Sequence, residues 1–275
     1  MTRNLASTMG RFLVLLALSS SAILAQPVAV SAAGPIGGWV AGPPMAGPRD
    51  SHTVTTLKDG RILVVGGGAE IYDPTANRWS QAGTPVMART IATATLLAGG
   101  RVLVAAGIVG ERSVPNTEIY DPTRNTWTAA ASMAGRRYDH TATLLADGRV
   151  LIAGGTRSTV TLDSAELYDP KTDAWSAAAS LPAPRTHHTA TLLPDGRVLV
   201  AGGTNGGQTL ATAAIYDPAA NKWAPGGSMT MPRRGSLSTR LRDGRILVVG
   251  GLEFPGPAQV AAEIFDPKTE SWSPA

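Results

Sequence analysis

The chain of 275 residues contains no cysteine, which excludes disulfides, thiolate metal sites and cysteine nucleophiles. Charged residues are scarce, at 16%, and the formal net charge is only +4. No basic run occurs, so neither charge nor patterning indicates a nucleic-acid partner. Aromatic residues make up 5% of the chain, yet the tryptophans among them are regularly spaced.

Five tryptophans mark an internal repeat. One copy reads RRYDHTATLLADGRVLIAGG, followed by a variable stretch and SAELYDPKTDAWS. A period near fifty with a double glycine, a Tyr-Asp-Pro turn and a closing tryptophan is typical of four-stranded propeller blades. The tryptophans are Trp79, Trp127, Trp175, Trp223 and Trp272, at spacings of 48, 48, 48 and 49.

Each repeat predicts four short strands. Asp147-Gly148 suits the tight hairpin between the first two strands, and Val150–Ala153 is continuously apolar, as expected for a strand covered on both faces. Gly154-Gly155 then allows close backbone approach, and Asp169-Pro170 makes a short turn before the fourth strand. No helical period follows residue 34, so the fold class is all-β.

The unit resembles the kelch repeat, in the form common in secreted bacterial proteins and in propellers like that of galactose oxidase. The resemblance runs from about Trp39 to Trp272 and implies a kelch-type β-propeller of five four-stranded repeats. It is specific for the fold and almost silent on function. The copper site of galactose oxidase requires a cysteine cross-linked to a tyrosine, so that cofactor cannot form in this chain, and we expect no cofactor.

The two ends of the repeat array predict an incomplete ring. Trp39 begins a phrase that matches the one at Trp79, and it therefore reads as a lone fourth strand without the preceding three. Because Trp272 closes a repeat just before Ala275, three further strands would complete a sixth blade with Trp39. The alternative is five blades that close alone, with the Trp39 strand added at an edge.

The N-terminus has the pattern of a secretion signal. Arg3 and Arg11 precede an apolar run, Phe12–Leu18, and small residues follow as far as Ala33. We expect residues 1–33 to be a signal peptide, cleaved after Ala25, Ala32 or Ala33, and residues 34–275 to be the propeller, without a membrane span after leader removal. The alternative, an uncleaved anchor, is disfavoured because the apolar core is short. Secretion or periplasmic export follows.

A regular set of arginines opens the first strands. One alternative pairs them with the acids that start the third strands, and the other is a ligand-facing ring suited to carboxylates. Repeat four has Ala214 in place of the acid, so Arg185 is the member expected to be free. The arginines are Arg49, Arg89, Arg137, Arg185 and Arg233, and the acids are Glu70, Glu118, Glu166 and Glu263.

Further binding candidates break the repeat. Arg136, Tyr138, Asp139 and His187 are predicted at the end of the propeller that also carries the long loops after the double glycines. Three other histidines recur at one place in the repeat, which favours packing over metal binding, and we predict no metal site. They are His52, His140 and His188.

These observations favour a non-catalytic binding module for a protein, peptide or glycan in the envelope or outside the cell. If the arginines are paired, the site is neutral and a glycan or a peptide backbone is the expected ligand. An alternative is an enzyme acting on carbohydrate, an isomerase or hydrolase, with Asp139, Asp163 or Glu253 as loop acids, but no paired-carboxylate spacing supports it and no catalytic residue is assigned. A subunit of a larger surface assembly is a third possibility.

Overall fold

A computed structural model describes residues 40–256 and 258–275 of the chain. The predicted signal peptide and the predicted strand at Trp39 lie outside these residues. Residues 43–275 belong to one compact unit. No helix in the described part is long and apolar enough to cross a bilayer.

The described residues form five four-stranded antiparallel sheets, which we call blades 1 to 5. Blade 1 comprises β1 (Thr53–Thr56), β2 (Ile62–Val65), β3 (Ala69–Asp73) and β4 (Arg78–Gln81). Blade 2 comprises β5 (Thr93–Leu96), β6 (Val102–Ala105), β9 (Thr117–Asp121) and β10 (Thr126–Ala130). Blade 3 comprises β11 (Thr141–Leu144), β12 (Val150–Ala153), β15 (Ala165–Asp169) and β16 (Ala174–Ala178).

Blade 4 comprises β17 (Thr189–Leu192), β18 (Val198–Ala201), β21 (Thr212–Asp217) and β22 (Lys222–Ser228). Blade 5 comprises β23 (Leu237–Arg240), β24 (Ile246–Val249), β25 (Glu263–Asp266) and β26 (Ser271–Pro274). Three small hairpins lie in the loops after the double glycines: β7–β8 (Ile108–Val109, Arg112–Ser113), β13–β14 (Thr156–Arg157, Val160–Thr161) and β19–β20 (Thr204–Asn205, Gln208–Thr209). The prediction of an all-β propeller with five four-stranded repeats is confirmed.

The sequence repeat explains the register within a blade. In blade 3, Val150 pairs with Tyr168, and Tyr168 pairs with Trp175 on the outermost strand. The tyrosine and tryptophan rings lie 5.1 Å apart between centroids, and the indole nitrogen donates to the carbonyl oxygen of Ala131 at the end of the preceding blade. The closing tryptophan therefore joins successive blades as well as filling its own.

Apolar side chains fill the space between blades. Leu63 and Val65 face Val102 and Val104 of the next blade, because alternate residues of a strand point to opposite faces. Four such clusters join the five blades in chain order. The aromatic residue that precedes each Asp-Pro turn belongs to this core in blades 2 to 5, where it is buried as Tyr120, Tyr168, Tyr216 or Phe265.

Within the described residues, no such cluster joins blade 5 to blade 1. Val54 of β1 is 59% exposed and Leu237 of β23 is 72% exposed. In blades 2 to 4 the equivalent positions hold smaller side chains, alanine and threonine, which are at least partly covered by a neighbouring blade. The described blades therefore form an open arc, as the incomplete ring predicts. The strands expected beyond Ala275 stay a prediction.

The two ends of the propeller differ in construction. One end, the hairpin face, carries the Asp-Gly hairpins and the Asp-Pro turns. The other end, the loop face, carries the connections between blades and the long loops after the double glycines. Isolated bridges join each connection to its loop, at Thr90–Ile108, Tyr138–Thr156, Thr186–Thr204 and Arg234–Leu252, so the prediction that these segments share one face is confirmed.

Candidate functional site at the loop face

The repeated arginines lie inside the blades below the loop face. Arg137 donates from Nη2 to Glu166 at 2.7 Å, and its Nη1 donates to the carbonyl oxygens of Gly154 and Ser164. The side chain of Arg137 is 1% exposed. The guanidinium thus satisfies carbonyl groups where the second strand ends. The same ion pair occurs within blades 1, 2 and 5, as Arg49–Glu70, Arg89–Glu118 and Arg233–Glu263.

Each glutamate also holds the segment that leads into its own blade. Glu166 accepts hydrogen bonds from the backbone nitrogens of Ala134 and Gly135, three and two residues before the arginine. Because both groups of the pair are satisfied, a ligand would have to displace a carboxylate to reach the guanidinium. Of the two alternatives that the sequence allowed for these arginines, the structure therefore shows pairing with the third-strand glutamates in four blades.

Arg185 is not free, contrary to our expectation from its missing acid. Its side chain is buried, and its Nη1 donates to the carbonyl oxygens of Gly202 and Thr212 at 3.1 and 3.0 Å. Burial lowers the pKa of Arg185 to about 10. The arginine keeps the carbonyl contacts of its counterparts without the carboxylate, and it does not reach the surface.

Five equivalent residues at the start of the first strands form what we call the mouth ring. Each has a positive φ, between 50° and 64°. Backbone nitrogens donate from one blade to the carbonyl of the one before, as in Ile91 to Ser51 and Gly235 to His187. Since the first strands of neighbouring blades pack against each other, these residues surround the opening of the central channel. They are Ser51, Ile91, Asp139, His187 and Gly235.

The mouth ring brings together two of the predicted site residues. Asp139 and His187 belong to adjacent blades, and His187 Nε2 lies 3.2 Å from Asp139 Oδ2. Their side chains remain 21% and 39% exposed. Burial raises the pKa of Asp139, and the charges of His187 and Arg234 oppose the rise. The pair is therefore accessible to a ligand and holds a carboxyl that takes up a proton more readily than usual.

The other two candidates flank this pair. Tyr138 exchanges backbone hydrogen bonds with Thr156, and its hydroxyl donates to the carbonyl oxygen of Ser158 at 3.1 Å. Arg136 is exposed in the same connection. Both residues lie on the loop face beside Asp139, as predicted.

Sequence reasoning missed two residues of this site. The guanidinium of Arg234 stacks on the ring of Phe254, with its central carbon 4.8 Å from the ring centroid. Arg234 precedes Gly235 of the mouth ring, and Phe254 lies in the long loop of blade 5. A signal was present, because Arg234 occupies the position of Tyr138 in its own repeat and is equally unrepeated.

Two of the three recurring histidines pack between blades, as predicted, whereas His52 of blade 1 is exposed. His140 and His188 are buried, and each contacts a threonine hydroxyl of the preceding blade at 2.9 Å, Thr93 and Thr141 respectively. Burial lowers the pKa of both rings to about 3. Across residues 40–256 and 258–275, no cluster of three or more His, Asp or Glu side chains is placed to hold a metal ion.

A cavity of about 960 Å³ lies away from these residues, on the hairpin face between blades 4 and 5. Arg240 and Arg242 line it. Arg240 stands where blades 2 to 4 have a leucine, so the hairpin face also carries a charged side chain that the repeat does not require. The cavity is bounded mainly by turns, whereas the mouth has polar groups from three blades.

Comparisons with known proteins agree with this architecture. The family model described as "Kelch motif" matches residues 93–134, 136–182 and 185–230. Among curated proteins, none matches the sequence significantly. A solved structure titled "Structure of YjhT" is similar in fold, with a TM-score of 0.68 at 14% identity, covering 84% of this chain and 85% of that one. The matched repeats and the five blades identify this chain as a kelch-repeat β-propeller protein.

Proposed function

We propose that the chain is an exported binding module whose ligand docks on the mouth ring at the loop face. The observation that carries the proposal is the Asp139–His187 pair, which is exposed, unrepeated and placed where two blades meet the channel. Polar side chains that a repeat does not require, on a rigid scaffold, are typical of binding sites. Kelch propellers commonly serve as interaction modules, which is consistent with this role.

The ligand that fits this site is uncharged and polar, a glycan or a peptide backbone. The buried arginines are neutralised by their glutamates in four blades, so they offer no ring of positive charge to an anion. The mouth instead offers a carboxylate, an imidazole and the stacked Arg234–Phe254 surface. Such groups bind hydroxyl and amide groups by hydrogen bonds beside an aromatic ring.

Binding is tested with glycan and peptide arrays on residues 34–275. We expect the double variant Asp139→Asn/His187→Gln to lose at least about tenfold in affinity for the array ligand, as about 1.4 kcal/mol of lost hydrogen bonding would give. The matched control is Arg240→Ala/Arg242→Ala in the hairpin-face cavity, which should bind normally. Normal binding by the mouth variant together with loss in the cavity variant would place the site on the hairpin face.

Export is part of the proposal and rests on the pattern of the first 33 residues, positive, then apolar, then small. Intact-mass analysis of protein produced in a bacterial host with a functioning export system tests it. We expect a mature species that begins after Ala25, Ala32 or Ala33. A folded species that retains Met1–Leu24 would contradict cleavage.

A carbohydrate-active enzyme is the second candidate, and one observation favours it. Asp139 has a raised pKa and contacts His187, an arrangement suited to general acid–base catalysis. Mass spectrometry and NMR of array-positive glycans after incubation with the protein would show a changed product. Turnover that Asp139→Asn abolishes while binding persists would replace the binding-module proposal with the enzyme.

A further inference from the structure

Blade 4 differs from the other blades at two positions, and in those other blades the residues at the two positions are hydrogen-bonded to each other. Ala214 stands where the other blades have the glutamate that pairs with the arginine. Pro182 stands three residues before Arg185, where Ala46, Val86, Ala134 and Thr230 donate their backbone N–H groups to that glutamate. Proline has no N–H to donate. The acid and one of its donors are therefore missing together, while the arginine is retained.

The two Nη atoms of Arg185 keep the contacts that those of Arg137 make with the backbone and with a neighbouring hydroxyl. Its Nη1 contacts to Gly202 and Thr212 reproduce those of Arg137 to Gly154 and Ser164, and its Nη2 lies 3.5 Å from the Thr212 hydroxyl, as that of Arg137 lies 3.3 Å from Ser164. The guanidinium is therefore held in the same orientation. Its remaining donor edge points to the place that a carboxylate occupies in blade 3, 2.7 Å from Nη2.

This edge has no anionic partner within the part of the chain that the structure describes. No carboxylate lies within 4.0 Å of the Arg185 guanidinium, and its buried Nε atom has no hydrogen-bond acceptor. The Nε atom of Arg233 is also without an acceptor, but Arg233 has Glu263 on Nη2. Arg185 and Ala214 are each 1% exposed, so bulk water does not screen the charge. A buried cation without a counter-charge is strongly unfavourable.

From these contacts we propose that blade 4 binds a small monovalent anion, of the size and charge of chloride, beside Arg185 in place of the missing glutamate. The anion accepts hydrogen bonds from the Nη2 and Nε groups of Arg185. The backbone nitrogen of Ala183 is a third donor, because Met87, Gly135 and Met231 at the same position donate to the glutamates of their blades. This site is separate from the mouth ring and does not depend on the ligand proposed there.

Chloride and bromide are the probes, used on the full mature chain. At constant ionic strength, we expect the thermal unfolding temperature to rise saturably by about 3 °C when sodium chloride replaces sodium gluconate, because an anion that binds only the folded state stabilises it. A crystal soaked in bromide should show an anomalous peak within hydrogen-bonding distance of Arg185.

The variant Pro182→Ala/Ala214→Glu rebuilds the arrangement of the other blades and should lose the chloride response. The control Pro184→Ala alters the same connection but leaves the proposed ligands in place, and it should keep the response. Equal unfolding temperatures in chloride and gluconate would overturn the proposal, as would a chloride response that the rebuilt variant retains. If the rebuilt variant does not fold, the bromide crystal of the unaltered chain decides, and no peak at Arg185 overturns the proposal.

Discussion

Two kinds of contact between an acidic and a basic side chain lie within a few residues of each other at the loop face, and they differ in what holds them. Arg137–Glu166 is almost fully buried, recurs in four blades, and is tied to backbone groups on both sides. The Asp139–His187 pair is partly exposed to solvent, occurs once, and joins side chains of adjacent blades. The first pair fixes how one blade connects to the next, whereas the second uses the resulting frame to present polar groups at the channel. Repetition marks the scaffold here, and its interruption marks the candidate site.

The largest effect expected from this contrast is on stability, in Glu166→Ala. The substitution leaves the Arg137 charge buried without its partner and should lower the free energy of unfolding by about 3–5 kcal/mol. Urea unfolding measures it. The matched control is Asp147→Ala, which removes an exposed carboxylate from the partly exposed Arg149 and should cost less than about 1 kcal/mol. Equal costs for the two variants would show that the repeated pairs are no more structural than a surface pair.

Acid should weaken the scaffold through the buried histidines. Because burial lowers the folded-state pKa of His140 and His188 to about 3, the unfolded chain binds more protons between pH 6.5 and pH 3. Their contribution is complete above pH 6.5 and is lost as the pH falls toward 3. Because of each histidine, the free energy of unfolding should fall by about 2 kcal/mol between pH 7 and pH 5.

Urea midpoints at the two pH values measure this loss, and His188→Gln should flatten the dependence by about half. His187→Gln is the control from the mouth ring, and it should leave the slope close to that of the unaltered protein. A steep dependence that survives His188→Gln would assign the acid sensitivity to other groups.

The second glycine of the pair that follows the second strand should not tolerate a side chain. Gly155 has φ +98°, and an added Cβ would lie 2.6 Å from the Tyr138 carbonyl oxygen. We expect Gly155→Ala to cost about 2–3 kcal/mol through strain and displacement of the connection. Gly148 has a similar φ of +89° in open space, so Gly148→Ala should cost only about 1 kcal/mol. Calorimetry would contradict the role of close packing if the two costs agree.

The smallest stability change is expected at the mouth. Asp139→Asn should alter the unfolding free energy by less than about 0.5 kcal/mol, because folding already disfavours the charged carboxylate and the amide keeps its shape. Urea unfolding of this variant beside Glu166→Ala separates the two kinds of pair directly. A cost above about 2 kcal/mol would make Asp139 part of the scaffold and remove the reason to place a site there.

The sequence by itself determined the blades. The spacing of the tryptophans, the Asp-Gly hairpins and the double glycines predicted five four-stranded sheets, since each signal acts over a few neighbouring residues and recurs in register. The sequence also predicted that Arg136, Tyr138, Asp139 and His187 lie on one face. Successive strands of a blade run in opposite directions, so the connections between blades all lie at the same end.

Only the tertiary structure decided which of these groups meet. Asp139 and His187 are 48 residues apart, and their contact depends on the rotation from one blade to the next, which no single repeat encodes. The same holds for Arg234 on Phe254. Burial, too, is a property of the packed blades: Arg185 was expected to be free because its acid is missing, but its neighbours enclose it regardless of charge. Local patterns set the backbone, while contacts between blades decide whether a side chain supports the scaffold or faces a ligand.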